Sequence, residues 1–463
     1  MTARKIKGNL TEGPIFTKMI LFAIPIILTG VLQVMYNMAD NIVVGRFSGD
    51  PGALGAVGST SSLTAFIINF MTGISTGTSI IVAQLYGAKK EREVSRAVHT
   101  AMSFSVIVGL VFMAIGLISA RPVLTLMGTE KDFLDKAVLY MVIICLGIPA
   151  TSIYNFGASI LRSVGDSKIS LYVLSVSGVI NVLLNLFFVI VCNMSVGGVA
   201  LATTISKYVS AISVVWVLIR RKESCYALSF KKLRIDKGLL KRILRYGIPM
   251  SIQKSIFSVS NIILTGSINT FAKHTISAKT IAFNIESITY TAMTGFSSAS
   301  TTFSGQNFGA KKYGRVKKVF LYGAIQVAAL GILVSQLEIL FGRELASLYI
   351  DANDPNKEAI TRDVLEIFKI MLSTYFLCGI MNVMSGVLRG IGYSVTAMVS
   401  AVVGVVIRVL WIIFIVPIEK FHTVFYLFFS YPLSWVLTII LLSVCTVYSW
   451  RKTGIWKGEE NKR

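Results

Sequence analysis

Two stretches of the sequence, residues 51–88 and 169–206, contain no Asp, Glu, Lys or Arg. A helix needs about 20 apolar residues to cross the hydrocarbon core of a bilayer, so each stretch is long enough for a span. The 463-residue chain is 54% hydrophobic and only 14% charged, whereas soluble domains carry roughly a quarter charged residues. These features exclude an ordinary soluble domain and predict an all-α polytopic membrane protein.

Apolar runs that lie between charged or Gly/Pro-marked breaks predict twelve transmembrane helices. The weakest division separates spans five and six, where Asn193, Gly197 and Gly198 alone mark a turn. The predicted spans cover residues 19–45, 53–86, 94–120, 135–161, 169–194, 196–219, 243–271, 276–306, 317–341, 365–388, 394–417 and 422–449.

The formal net charge is +23, and the basic residues form short clusters between the apolar runs. Residues 220–246 carry ten Lys and Arg against two acidic residues. Clusters of this kind are typical of cytoplasmic loops near anionic lipid, so we expect a multi-pass protein of the cell membrane with both termini in the cytoplasm. No recognition motif accompanies the charge, and we therefore expect no binding to nucleic acid.

Three pairs of similar segments recur in the same order and at a nearly constant separation along the chain. GAKKEREVSRAV at Gly87 matches GAKKYGRVKKVF at Gly309, NFGASILRSVG at Asn155 matches NVMSGVLRGIG, and AIPIILTGVLQVMYN at Ala23 matches GIPMSIQKSIFSVSN. Two parallel six-helix repeats explain this pattern. The predicted organisation is an N-terminal lobe at 1–219, a basic cytoplasmic linker at 220–246 and a C-terminal lobe at 247–463.

Motifs along the whole chain resemble those of the multidrug and toxic compound extrusion (MATE) transporters. They include NMADNIVVGR, AQLYGAKK, LRSVGDSK, GVINVLLN, GGVALATT and NIESITYTAMTGFSSASTTFSGQNFGA. The resemblance implies a V-shaped pair of lobes, and it implies export of organic small molecules in exchange for protons or sodium. We expect a monomer in the lipid bilayer, with no cofactor beyond that coupling ion.

The resemblance also implies a cation site in the first lobe. Its residues by motif are Asp40 on span one, Asn181 and Asn185 on span five, and Thr203 on span six. The family more often has Asp at the position of Asn185, so this chain has one carboxylate in the lobe instead of two. In the second lobe the resemblance points to Glu286 on span eight.

The residues themselves support a functional role for Asp40, because a charge inside an apolar span costs several kcal/mol unless it is paired or protonated. A carboxyl at the edge of a loop is the alternative. Asn181 and Asn185 lie four apart on one helical face, as cation ligands or as packing contacts between helices. Lys207 lies four residues after Thr203, and we hypothesise that it pairs with Asp40; the alternative is a lysine that extends to the membrane surface.

Arg408 on span eleven occupies the position that matches Asn181 in the other repeat. It is either a structural counter-ion for Glu286 or a contact for an anionic group on the substrate. Tyr36 and Tyr290 are candidate cavity residues, because aromatic ring faces hold flat cations. Each of the two tyrosines has a lipid-facing or core position as its alternative.

The sequence contains no nucleophile elbow, zinc-protease, Walker or CxxC motif, and its five cysteines are scattered singly. We therefore predict no enzyme activity, and energy for transport must come from an ion gradient or a partner. A lipid-linked oligosaccharide flippase is the alternative within transport, and an enzyme acting on lipid is the alternative outside it. Basic residues for an anionic flippase substrate are Lys207, Lys254, Arg389 and Arg408.

Overall fold

The structure is a computed structural model that describes residues 9–50, 52–351 and 354–456. Within this part of the chain the regular secondary structure is helical, and no β-strand occurs. The α-helices are α1 (Ile15–Phe47), α2 (Ala53–Gly87), α3 (Glu91–Leu126), α4 (Lys131–Leu146), α5 (Ile148–Ser163), α6 (Lys168–Leu186), α7 (Ser195–Arg220), α8 (Lys237–Ile268), α9 (Lys273–Gly309), α10 (Tyr313–Leu340), α11 (Gly342–Ser347), α12 (Lys357–Met371), α13 (Tyr375–Gly390), α14 (Ser394–Leu410) and α15 (Val424–Thr453).

Each of the twelve predicted spans overlaps a long helix or a pair of consecutive helices. By length and composition, nine helical segments of the described residues are able to cross a membrane, and the bent pair α4–α5 makes a tenth. Helices α8 and α9 contain 32 and 37 residues, which is also long enough to cross, but they are more polar. The prediction of an all-α polytopic fold with twelve transmembrane helices is confirmed.

Predicted span four is bent rather than continuous. Helices α4 and α5 meet at an angle of 43° around Gly147. Pro149 lies in the first turn of α5, and because proline has no N–H it cannot bond to the carbonyl of Cys145 one turn earlier. The hydropathy of the segment is uniform across the break, so an apolar run alone does not reveal the bend.

The prediction that span ten begins near residue 365 is wrong by two helical turns. Helix α12 begins at Lys357, and its first two turns carry Glu358, Arg362 and Asp363. Charged residues at the start of an amphipathic helix read as a loop in a hydropathy pattern, although Asp363 itself is only 3% exposed. The short helix α11 was not predicted for the same reason.

The two sequence repeats share local backbone features that the sequence does not predict. A π-helical turn extends α6 at Phe187–Val191, and another extends α14, the corresponding helix of the second repeat, at Trp411–Ile415. Lys89 and Lys311 are the third residues of the matching GAKK segments and have positive φ angles of 57° and 58°. Equivalent irregularities in corresponding elements support the interpretation of a duplicated six-helix unit.

The helices form two compact units, each with its own hydrophobic core. Unit one contains Leu28–Ser251, and unit two contains Leu10–Ile27 together with residues 252–456. The division therefore falls inside α1 and inside α8, just after Pro25 and just after Pro249.

Glycines on α2 and α9 make room for these helix halves. In unit one, a Cβ at Gly73 would lie 2.5 Å from the Cα of Ser251 on α8. In unit two, a Cβ at Gly295 would lie 2.5 Å from Cγ1 of Ile27 on α1. Gly73 and Gly295 occupy matching positions of the two repeats, so the same close helix approach is made once in each unit.

The basic segment predicted as a linker packs within unit one. The backbone N–H of Ser229 donates to Nε2 of His99 at 3.1 Å, and that of Asp236 donates to Oγ1 of Thr100 at 3.1 Å. The lobe boundaries at 219 and 247 describe the sequence repeats, and the compact units depart from them at α1 and α8. Residues 1–8 and 457–463, which carry the basic ends of the chain, lie outside the described residues.

Candidate functional site

The four first-lobe residues indicated by motif lie together in unit one. Asp40 of α1 is 8% exposed, and Asn185 of α6 donates an amide N–H to its Oδ1. Thr203 of α7 donates its hydroxyl to Oδ2 at 3.1 Å. Nδ2 of Asn181 donates to Oγ1 of Thr203 at 3.3 Å, and Nδ2 of Asn185 lies 3.4 Å from Oδ1 of Asn181. One carboxylate thus connects three helices through neutral side chains.

One oxygen of this network has no protein partner. Oδ1 of Asn185 is buried and accepts no hydrogen bond from any described residue. The unused amide oxygen adjoins a carboxylate, and two further neutral oxygens come from Asn181 and Thr203. Oxygens of these types suit either a proton on Asp40 or a small hard cation beside it.

Tyr36 lies one helical turn before Asp40 and packs over α6. A Cβ on Gly178 would lie only 1.7 Å from Cζ of the Tyr36 ring, so a side chain larger than hydrogen displaces that ring. The hydroxyl of Tyr36 is 3.5 Å from the carbonyl oxygen of Ser175. Tyr36 is therefore held against the helix that supplies Asn181 and Asn185, rather than standing free as an aromatic platform.

Lys207 does not join the hydrogen-bonded network in the part of the chain that the structure describes. It interacts electrostatically with Asp40 but forms no direct ion pair with it. Its side chain lines a small pocket with Met71, Met141 and Thr151. A direct pair between Lys207 and Asp40 remains a prediction that would require the lysine side chain to move.

The second-lobe residues Glu286 and Arg408 lie near each other in unit two. Tyr375 of α13 donates its hydroxyl to Oε1 of Glu286. Arg408 of α14 attracts Glu286 electrostatically, donates from Nε and Nη2 to Oγ of Ser434 at 3.2 and 2.9 Å, and lies 4.0 Å from the ring centroid of Tyr431. The Arg408 guanidinium therefore contacts residues of α15, and Tyr375 is the direct hydrogen-bond partner of Glu286.

Tyr290 lies four residues after Glu286 on α9 and is 42% exposed. Residues four apart share a helical face, so its ring covers the same side of α9 as the carboxyl. It forms no hydrogen bond in the described structure. Its predicted contact with substrate stays a prediction.

Three polar residues of unit two were missed by the sequence reasoning. Tyr375 contacts Glu286, while Glu338 of α10 is 8% exposed and accepts a hydrogen bond from Oγ1 of Thr289 at 2.6 Å. Glu338 lies three residues before the predicted end of span nine, where it reads as a loop-edge acid. Glu338 nevertheless lies inside predicted span nine and inside α10, so the rule that acids inside spans are functional applies to it.

No group of three or more His, Cys, Asp and Glu side chains able to hold a metal ion occurs in residues 9–50, 52–351 and 354–456. The arrangement offers isolated carboxyls with neutral partners, not a metal centre. Chemically, such groups exchange protons or bind a monovalent cation weakly. Two carboxyl sites, the buried Asp40 in unit one and the half-buried Glu286 in unit two, are the candidate functional sites.

Comparison with known proteins decides the family. The sequence model of the MatE family matches residues 25–187 and 249–414, one match in each repeat. The chain belongs to the MatE family. This confirms the resemblance to MATE transporters and makes the protein a multi-pass membrane transporter.

Curated MatE relatives cover nearly the whole chain. The probable multidrug resistance protein YoeA of Bacillus subtilis is 27% identical over 457 residues, which is 96% of each chain. The probable multidrug resistance protein NorM of Thermotoga maritima is 25% identical over 404 residues, covering 84% of this chain and 82% of the relative. An outward-facing multidrug resistance MATE transporter shares the fold with a TM-score of 0.88 at 20% identity, covering 99% of this chain and all of the other.

Proposed function

We propose that this protein is a secondary active antiporter that exports amphipathic, often cationic, organic compounds in exchange for protons or sodium. The observation that carries the proposal is the carboxyl of Asp40, buried in a membrane span and held by the neutral side chains of Asn185 and Thr203. Relatives named as multidrug resistance proteins support the class of cargo.

Ion binding at Asp40 alters its contacts with two helices. The ionised carboxylate accepts one hydrogen bond from α6 and one from α7. When a proton neutralises it, these bonds weaken, because hydrogen bonds to charged groups are roughly twice as strong as neutral ones. Oδ1 of Asn181 lies within reach of Nδ2 of Asn185, so this donor has an alternative acceptor, and the Thr203 hydroxyl already accepts from Nδ2 of Asn181. Exchange of the ion thereby shifts the packing of α1 against α6 and α7.

Coupling to sodium has a comparable structural basis in unit one. The two carboxylate oxygens of Asp40, the amide oxygens of Asn181 and Asn185, and the hydroxyl of Thr203 together supply five oxygen atoms. Hard cations are bound by oxygen ligands of these types. In unit two, Glu286 with Tyr375 provides a second carboxyl for coupling.

The test is ethidium transport in proteoliposomes under an imposed proton gradient or an imposed sodium gradient. We expect wild type to move ethidium when one of the gradients is imposed. Asp40→Asn should lose that dependence, because a neutral amide carries neither a proton nor a cation's counter-charge. Glu286→Gln should weaken the dependence of ethidium transport on the imposed gradient.

Asp132→Asn is the matched control, since it makes the same chemical change at an exposed position at the start of α4. It should transport like wild type. Ethidium movement that neither gradient drives would overturn the antiporter proposal. Full coupling in Asp40→Asn would move the ion site to another residue.

A flippase for anionic lipid-linked saccharides would use free basic side chains. Arg389 donates from Nη2 to Oγ of Ser297 at 2.8 Å, and Arg408 is bonded to Ser434. Both arginines are 4% exposed or less and serve contacts between helices of unit two. This packing favours the antiporter over the flippase.

A further inference from the structure

A second carboxyl of unit two lies on α10. Glu338 is 8% exposed, and Thr289 of α9, itself 1% exposed, donates its hydroxyl to Oε1 at 2.6 Å. Oε2 of Glu338 is buried and has no hydrogen-bond partner among the described residues. Among the described residues, one oxygen of the Glu338 carboxyl group therefore has a hydrogen-bond donor and the other oxygen has none.

No cation balances Glu338 in the described structure. None of the ion pairs among the described residues involves it. Its hydrogen-bond partner Thr289 lies three residues after Glu286 on α9, so a second carboxyl, of the same sign, lies one helical turn from the residue that bonds to Glu338. An unpaired buried charge costs several kcal/mol, and a like charge nearby adds to that cost. Both carboxyls of unit two are therefore poorly placed to be ionised at once.

Helices α9, α11, α12 and α13, the unit-two part of α1, and α15 pack against α10. Arg408 is directed to Glu286, Ser434 and Tyr431, and does not neutralise Glu338. The titratable and charged side chains on the packed helices are Lys18 on the unit-two part of α1, Lys273, His274, Lys279, Glu286 and Tyr290 on α9, Arg343 and Glu344 on α11, Lys357, Glu358, Arg362, Asp363, Glu366 and Lys369 on α12, Tyr375, Cys378 and Arg389 on α13, and Tyr426, Tyr431, Cys445, Tyr448, Arg451 and Lys452 on α15.

The side-chain oxygens that are hydrogen-bonded at Glu338 are fewer than a hard cation takes. Its own carboxylate and the hydroxyl of Thr289 supply three oxygen atoms. Hard cations such as Ca²⁺ take six to eight oxygen ligands. A proton needs one oxygen, and the unpartnered Oε2 provides it.

We propose that Glu338 is a second proton-carrying residue of unit two, acting with Glu286 as a coupled pair. The pair holds one proton at rest because two neighbouring carboxylates avoid double ionisation. Transfer breaks the O–H bond on one carboxyl and forms it on the other, so the pair remains singly charged. A second proton neutralises the pair during the transport cycle. This inference rests on the proposed antiport.

The experiment counts protons moved per ethidium in proteoliposomes that contain a trapped pH-sensitive dye, across a range of external pH. Glu338→Gln should move fewer protons per ethidium than wild type and should have a shallower pH profile, because one ionisable group is gone. Thr289→Val keeps both carboxyls but removes the donor to Oε1, and it should shift the pH profile. Glu338→Asp should restore part of the proton count.

Glu344→Gln is the matched control, because it makes the same change at an exposed residue of α11. It should leave both readouts unchanged. A monodisperse Glu338→Gln protein with wild-type proton count and pH profile overturns the inference and leaves the residue a packing role. If Glu338→Gln does not fold, an unshifted profile in Thr289→Val overturns it. If wild type moves no protons with ethidium, proton antiport itself is rejected. If ethidium transport depends on sodium in wild type but not in Glu338→Gln, Glu338 belongs to a cation site instead.

Discussion

Single residues show how unit one holds an acid within a membrane span without a direct salt bridge. Asp40 is bonded by an amide and a hydroxyl, while the nearby lysine, Lys207, attracts it without contact. Neutral donors stabilise the carboxylate less than a contacting cation would, so the charge remains easy to remove. A carboxyl group that takes up and releases a proton or a cation requires this moderate stabilisation of its charge.

Gly178→Ala tests whether the position of Tyr36 matters for this site. The added Cβ would occupy the place of the Tyr36 ring, 1.7 Å from Cζ, so the ring must leave α6. Because Tyr36 is one turn before Asp40 on α1, we expect ethidium transport to fall several-fold while the protein still folds. Transport in proteoliposomes and size-exclusion chromatography measure the two effects.

Gly197→Ala is the control for that substitution. Gly197 is also a buried helical glycine of unit one, but the nearest atom to an added Cβ is 3.7 Å away, an ordinary contact. It should transport normally. Equal transport by Gly178→Ala and Gly197→Ala would show that the packing of Tyr36 on α6 is irrelevant to activity.

The residues of the site were predictable to different extents. The grouping of Asp40, Asn181, Asn185 and Thr203 followed from motif resemblance, since spacing alone gives only helical faces. Tyr375 was not predictable, because nothing in an apolar sequence tells which tyrosine meets an acid on another helix.

At the scale of helices, hydropathy predicted the existence of the spans, because each must cover the same apolar thickness. It could not predict the 43° bend at Gly147 or the π-helical turns after α6 and α14. Those features change hydrogen-bond register without changing apolar character. The first turns of α12 were misread because charged residues there belong to an amphipathic helix.

Asp50 joins the α1–α2 connection to two other elements of unit one. Lys136 of α4 contacts its carboxylate at 2.7 Å, the N–H of Gly52 donates at 3.0 Å, and Ser195 donates at 3.4 Å. The hydrogen bond from Lys136, followed by the backbone bond from Gly52, lowers the pKa of Asp50 below its usual value. The lowered pKa means that the ionised form stabilises the fold.

Asp50→Asn should therefore lower the melting temperature in detergent at neutral pH. The loss should correspond to less than about 1 kcal/mol, because the pair is partly exposed to solvent. Since the pKa is depressed in the folded state, the stabilisation is present above pH of about 4 and is lost as the pH falls further. Melting curves of wild type and variant should converge in acid.

Asp135→Asn controls for the charge change, because the pair of Asp135 with Arg121 is largely exposed on both sides. Its melting temperature should match wild type across the same pH range. A melting difference for Asp50→Asn that stays constant into acid would contradict the assigned role of its ionised carboxylate.

For the whole molecule, the positive-inside rule predicts which loops face the cytoplasm. The basic loop after α7 should be inside, and the turn between α6 and α7 should be outside. Cys192 lies in that turn and is exposed, so a membrane-impermeant maleimide should label it in intact cells. A cysteine introduced at the exposed Lys222 should be labelled only after the cells are opened.

The native Cys225 is a poor reporter for the inner loop, because burial raises its pKa to about 11 and leaves little thiolate to react. The Lys222→Cys variant therefore needs a background in which the native cysteines are replaced. The predicted orientation is wrong if the maleimide labels Lys222→Cys in intact cells and does not label Cys192 in a variant that has Cys192 as its single cysteine.

The division of the units inside α1 and α8 has a consequence for biogenesis. A ribosome that has made the chain as far as Arg220, the end of α7, has not yet supplied the part of α8 that covers Gly73 of α2. Residues 10–27 are synthesised before α9 and must wait for that helix before their own packing surface exists. Domains usually fold in the order in which they are synthesised. Here residues 10–27 join the unit whose other helices are synthesised later, so neither unit can complete its packing before translation has passed Ser251 of α8.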